Sequence, residues 1–302
     1  MTYSIVARDP QTGELGVAVQ SHWFSVGSIV PWARPGVGAV ATQSIADPAY
    51  GPRLLDRLAA GEAPRMALTE LVRSDDRARL RQVAVVDAAG AVAVHTGEGC
   101  IPHAGHVEGE GFAAQANLMA SPAVWTAMAE THRAATGPLA RRLLGALAAA
   151  EAAGGDVRGR QSAALLVVPR EGERWRRVAD LRVEDDTGPV AELARLLDLH
   201  DAYELANEAD ELAGAGRHAE AGERYRRALE LAPSNAELLF WGGLARAQHG
   251  EVDEGVELVN RAIEIHSGWR ELLARLDPEI APAAQRIRRA LGIEARPPGP
   301  AG

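Results

Sequence analysis

Thr2 follows the initiator methionine and opens the run Tyr3-Ser4-Ile5-Val6-Ala7. Methionine before a small residue is normally removed, and the exposed threonine then carries a hydroxyl nucleophile and a free α-amine on one residue. An α-amine has a reference pKa of about 7.7–8.0, so near neutrality a useful fraction can accept the hydroxyl proton. The other reading of a Met-Thr start is that it has no chemical role, and position alone does not separate the two.

Further polar residues fall where strands are expected to end. His22, after Ser21 at the end of a second strand, is either an acid-base partner brought beside Thr2 by a hairpin or a loop histidine. Gln43 and Ser44, ahead of the turn Ala46-Asp47-Pro48, are either polar liners of a substrate cleft or ordinary strand-end residues. Asn117 offers a carboxamide donor to an oxyanion, or a turn or N-cap before the next helix. Asp156, Arg158, Gln161 and Ser162 gather polar groups ahead of the apolar strand Ala163–Val168, with Arg158 and Gln161 as substrate-binding candidates. A turn from Asp156 to Arg158 that only fixes the loop is the alternative. Cys100, His103 and His106, with His95 nearby, have ligand types suited to zinc; a glycine-rich loop around a buried cysteine is the competing reading, and a cysteine nucleophile at Cys100 with His106 a third.

The elements that must position these groups are legible in outline. Strands are expected at Tyr3–Arg8, Gly13–Gln20, Val37–Gln43, Gln82–Asp87, Ala91–Thr96, Gly111–Asn117, Ser162–Pro169, Trp175–Val178 and Asp180–Glu184. Helices are expected at Tyr50–Ala60, Pro64–Ser74, Pro122–Ala134, Pro138–Ala153 and Pro189–His200, several opened by proline and closed near glycine. Strands grouped between helix pairs suit antiparallel sheets covered by helix layers, an α+β fold, and not a regular βαβ alternation. No GxGxxG fingerprint, P-loop or GxSxG elbow occurs.

After His200 the pattern is helical and repeats. Ala209, Gly216, Ala221 and Ala228 recur thirty-four residues later as Gly243, Gly250, Gly255 and Ala262. This period resembles the tetratricopeptide repeat, in which small side chains let paired helices approach closely. Residues 201–292 are therefore expected to form helical repeats that serve a protein partner or self-association into a homo-oligomer, with Trp269–Leu291 as a capping helix. A disordered tail is expected over 293–302.

Bulk composition bounds the function. The chain has 302 residues, 47% hydrophobic and 24% charged, which suits a two-domain globular protein. Its net charge of −9 argues against a nucleic-acid partner. All 32 basic residues are arginine, so no lysine is present to act as base or Schiff-base former. One cysteine excludes an internal disulfide framework. No leader pattern or membrane-length apolar run is seen, so a cytoplasmic location is the default expectation, and no cofactor is expected.

Blocks of the first 200 residues resemble the family called domain of unknown function 1028. They include Thr2 to Asp9, Gly13 to Val19, Val30-Pro31-Trp32-Ala33, Gly36 to Gln43, Ala104-Gly105-His106, Gly111 to Gln115, Asn117 and Gly154 to Ala163. The resemblance implies a fold of the N-terminal-nucleophile hydrolase type over 1–200, a four-layer αββα sandwich. It also implies an enzyme cleaving a small amide or lactam through Thr2; a catalytically silent scaffold or ligand-binding domain of the same fold is the alternative. By analogy with proteasome-like threonine enzymes, Asp156 and Ser162 would orient the Thr2 amine. Those enzymes place a lysine near the threonine, and here Arg34 or Arg158 would have to supply that charge.

Overall fold

The computed structural model describes residues 2–296. Its contacts divide the chain into two compact units, 1–196 and 197–302.

The first unit is mixed α/β with two antiparallel sheets. Strands β1 (Thr2–Arg8), β2 (Leu15–Ser21), β7 (Gly105–Gly109), β8 (Phe112–Ala116), β9 (Ser162–Val168) and β10 (Ala179–Val183) form a six-stranded sheet in the order β10-β9-β2-β1-β8-β7. Strands β3 (Pro31–Arg34), β4 (Gly38–Ser44), β5 (Arg81–Asp87) and β6 (Val92–Thr96) form the second, in chain order. Facing sides share one apolar core: Val6, Leu15, Val17 and Val19 from the first sheet meet Ala39, Ala41, Ala84 and Val86 from the second. Each of these valine and leucine side chains contributes roughly 1.5–3 kcal/mol by leaving water.

The outer faces are covered by helices. α1 (Tyr50–Ala59) and α2 (Pro64–Arg73) pack on the four-stranded sheet through Leu54, Leu55, Leu58 and Leu68. α3 (Ala123–Ala134) and α4 (Leu139–Ala152) pack on the six-stranded sheet. In α4 the buried Leu139, Leu143 and Leu147 recur every four residues, so one stripe faces the strands. Gly16 permits that approach, since a Cβ there would lie 2.6 Å from Leu143 Cδ1. With both faces covered, β1 and β2 are buried almost throughout and read as near-continuous apolar runs.

The second unit is helical. α5 (Pro189–Gly214) crosses the division between units, followed by α6 (His218–Leu231), α7 (Ala236–His249), α8 (Val252–Ile265), α9 (Gly268–Arg275) and α10 (Ala284–Leu291). α7 and α8 meet at the two glycines matched by the repeat: a Cβ on Gly255 would sit 2.5 Å from the Gly243 carbonyl oxygen. Around them Leu239, Phe240, Leu244, Val259, Leu273 and Ile287 form the core, with the Phe240 and Trp269 rings 5.0 Å apart.

Four local expectations are corrected. Trp175–Val178 is not a strand: Arg176 N–H closes a turn on Glu173 C=O, Trp175 is 71% exposed, and pairing with β9 starts at Ala179. β3 and β7 were not expected, because four or five residues rich in proline, arginine, glycine and glutamate give no alternating signal. The helix expected to end at His200 runs on to Gly214. Trp269–Leu291 is two helices, interrupted where Pro278 and Pro282 fall. Of the tail expected over 293–302, Arg296 bonds through its N–H to Ala274 C=O and through its guanidinium to Glu271, and 297–302 lie outside the described residues.

Candidate functional site

The β1–β2 hairpin pairs residues whose numbers sum to a constant, from Arg8 with Leu15 back to Thr2 with Ser21. This register places the two hydroxyls together, and Thr2 Oγ1 donates to Ser21 Oγ at 3.0 Å. On the other side β8 delivers Asn117, whose C=O accepts the Thr2 N–H at 3.3 Å and whose N–H returns to Thr2 C=O at 3.1 Å. Thr2 is 6% exposed. Met1, whose removal the nucleophile reading requires, lies outside the described residues.

The loop ahead of β9 closes the same sheet end. Asp156 bridges to Met119, and its carboxylate accepts the His22 N–H at 3.3 Å, the Arg158 N–H at 2.9 Å, and Arg158 Nε and Nη2 at 3.1 and 2.7 Å. With its side chain fully buried, Asp156 holds the guanidinium in a charge-assisted fork. His22 meets this loop through its backbone and through its ring, which lies 3.6 Å from where a Gly159 Cβ would be. Ser162 Oγ donates to Trp23 C=O at 2.5 Å and accepts the Val26 N–H at 3.1 Å, pinning the segment that follows β2. Gln161 is turned to Asp185, its Nε2 3.0 Å from Oδ1.

Behind this corner the space between the sheets turns from apolar to amide-lined. Gln43 donates to Thr2 C=O at 3.1 Å and Gln82 Oε1 at 2.8 Å, and accepts from Ser4 Oγ at 2.7 Å. Gln82 donates to Thr96 Oγ1, Gly105 C=O and Ala116 C=O. Asn117 Nδ2 donates to Gln82 Oε1 at 2.8 Å and Thr2 C=O at 3.4 Å, while its Oδ1 has no partner in the protein. Gln43 is thus buried and engaged with protein groups, and the Asn117 amide faces inward. Gln82, Gln115 and Ser21 were not singled out as site residues from the sequence; only Ser21 had a usable signal, since counting back from the turn at Asp9–Gly13 puts it opposite Thr2.

Backbone strain gathers here as well. Among the described residues the non-glycine positive φ angles are those of Ser25 (56°), Ser44 (71°) and Leu118 (57°). Each lies at or just past the end of β2, β4 or β8 on the Thr2 side. Such conformations cost of order 1–3 kcal/mol and cluster where function over-determines the backbone. Trp23, Phe24, Ile45, Ile101 and Val157 are exposed on the same connections, with the Leu118 N–H and C=O bonded to Ile101 and Val157 respectively.

The cysteine and histidines considered as zinc ligands go to separate partners. Cys100 Sγ donates to Arg81 C=O, and burial pushes its thiol pKa up. His106 Nδ1 bonds Thr96 Oγ1 at 2.9 Å, and burial holds its pKa below the ordinary value. His95 Nε2 bonds Ala78 C=O, and the peptide carbonyl of His103 accepts the Met119 N–H. Among the described residues no three such groups converge to hold a metal ion.

With this geometry established, comparison with known proteins gives a family. Residues 2–193 match the family described as a family of unknown function (DUF1028), and the chain belongs to it. A crystal structure of a protein of that family from Silicibacter pomeroyi is 31% identical, covers 65% of this chain and 87% of its own, and superposes with a TM-score of 0.60. Anbu (ancestral beta-subunit) from Yersinia bercovieri is 12% identical, with a TM-score of 0.33 and coverage of 64% of this chain and 91% of that one. No curated protein matches the chain.

Proposed function

We propose that the first unit is an N-terminal-nucleophile amidohydrolase of the αββα type, acting on a small amide or lactam through Thr2 after loss of Met1. The observation that carries the reading is the Thr2–Ser21 hydroxyl pair, held at 3.0 Å at the sheet end where the Asp156–Arg158 pair also lies. In this scheme the Thr2 oxygen attacks the carbonyl carbon and its proton passes to the α-amine, with the Ser21 hydroxyl positioned to relay it. The tetrahedral oxyanion is met by positive charge from Arg158, since arginine stays charged and Asp156 fixes its plane. The oxyanion then collapses, the amine leaves with the proton, and water hydrolyses the Thr2 ester. Asn117 serves this scheme as a positioning residue, because its amide donors go to Thr2 C=O and Gln82.

Intact mass and turnover test the proposal together. The mature protein is expected to lack Met1, and Thr2→Ala is expected to lower hydrolysis of an amide panel by at least about 10³-fold with an unchanged far-UV spectrum. Retained Met1 on an active protein, or undiminished turnover in Thr2→Ala, would remove Thr2 from the chemistry. A second reading, a catalytically silent ligand-binding domain, is favoured by the low exposure of Thr2 and by its N–H being part of the sheet. That reading expects Met1 to be kept and no member of the panel to be turned over.

A further inference from the structure

A groove of about 590 Å³ lies wholly within the second unit, between α5 and α7 and the segment 280–283. Its polar lining is acidic and aromatic. Tyr203 Oη donates to Glu237 Oε2 at 3.0 Å and Tyr225 Oη to Asp210 Oδ1 at 2.5 Å, which orients both carboxylates without removing their charge. Trp241 lines the same wall, and the buried Gln248 Oε1 there has no partner in the protein. Although all 32 basic residues of the chain are arginine, none lines this groove among the described residues.

Two negative charges beside three aromatic rings, with no internal cation to neutralise them, are complementary to a guanidinium: the carboxylates take its N–H groups and the rings its face. Length argues for a peptide over a free amino acid. The lining runs from Tyr203 to Gly214 on α5 and from Glu237 to Gln248 on α7, about 16 Å at 1.5 Å per helical residue, which spans about five extended residues. The Tyr203–Glu237 bond fixes both helices at the same end, so the two walls run side by side.

We infer that this groove binds an extended, arginine-bearing peptide segment, its guanidinium held by Asp210 and Glu237, its stem against Trp241, and a peptide N–H donating to Gln248 Oε1. The inference is independent of the Thr2 chemistry. The test uses the full chain and fluorescence anisotropy of a fluorescein-labelled Ala-Arg-Leu-Arg-Ala amide. Saturable binding is expected, weakened by added salt and at least about ten-fold weaker for the Asp210→Asn, Glu237→Gln double variant, a difference readily resolved in Kd. Asn207→Arg, at an exposed lining position, places a competing cation in the groove without removing a phenol's partner, and is expected to weaken binding as much. The inference is overturned by absence of saturable binding, by equal affinity for a peptide with glutamate in place of arginine, by Asn207→Arg leaving binding unchanged, or by free arginine amide competing at the same concentration as the peptide.

Discussion

The two units handle buried polar and small residues in opposite ways. Between the sheets of the first, Gln43, Gln82, Gln115 and Asn117 replace the apolar filling at one end and bond mainly to each other and to strand carbonyls. In the second, polar side chains line an open groove, and the interior is closed by glycine and alanine where α7 meets α8. A closed amide network fixes one arrangement, because each donor removed strands a partner in low dielectric. An open lining leaves carboxylate and amide oxygens available to something else. The Thr2 corner lies between these extremes: its backbone belongs to the closed network, and its hydroxyl and the Asp156–Arg158 pair stand at the network's outer end.

The sharpest way to break this contrast is Gln82→Leu. Gln82 donates to three oxygens and accepts from Gln43 and Asn117, so leucine of similar size leaves several buried groups unpaired. A loss of about 3–5 kcal/mol is expected in urea unfolding; a loss under about 1 kcal/mol would mean that water replaces the amide and the network is not closed.

Acid titration probes the first unit's other buried polar group. His132 is 2% exposed, and burial, helped by the neighbouring Arg142, lowers its pKa to about 4. Because the folded value lies below the unfolded one of about 6.5, the unfolded chain binds the extra proton between them. Stability is therefore full above about pH 6.5 and declines as pH falls toward 4, by a few kcal/mol in all. His132→Phe is expected to flatten that part of the pH profile of urea midpoints; an unchanged slope would assign the acid sensitivity elsewhere.

In the second unit the prediction concerns packing. A Cβ at Gly243 would lie 2.7 Å from the Gly255 carbonyl oxygen and 2.8 Å from Val259 Cγ2. Gly243→Ala is expected to cost about 1–3 kcal/mol, although alanine is the better helix former. A stabilised Gly243→Ala would show the helix pair to be looser than the sheets. The smallest effect is at the start of α7, where Asn235 Oδ1 accepts the Leu238 N–H at 3.1 Å. Asn235→Ala is expected to lower the second unit's stability by about 1 kcal/mol, read by thermal unfolding, with the first unit unaffected.

Legibility in the sequence followed the strength of local pattern. The buried strands and the helices from Tyr50 to Ala152 fall within one or two residues of their expected bounds, because caps, prolines and periodicity act over a few residues. β3 and β7 escaped because pairing with a neighbour, and not their own composition, makes them strands. Trp175 misled for the converse reason: an aromatic with high strand propensity sits in a solvent-exposed turn. At the site, Thr2, Asn117, Asp156 and Ser162 could be named from strand ends, but their partners could not.

By itself the sequence determined the mixed sheet-and-helix character of the first 196 residues, the helical character of the rest, the small-residue positions at which α7 and α8 touch, and the family blocks, all carried by local pattern. Only the tertiary structure decided that the Gln43 side chain turns inward, that Asp156 reaches His22 across 134 residues, that Ser162 anchors Trp23, and that Cys100 and the histidines stay apart. Those pairings depend on how two sheets and their connecting loops stack. No residue type encodes that distance, because it is set by the summed packing of side chains far apart in the chain.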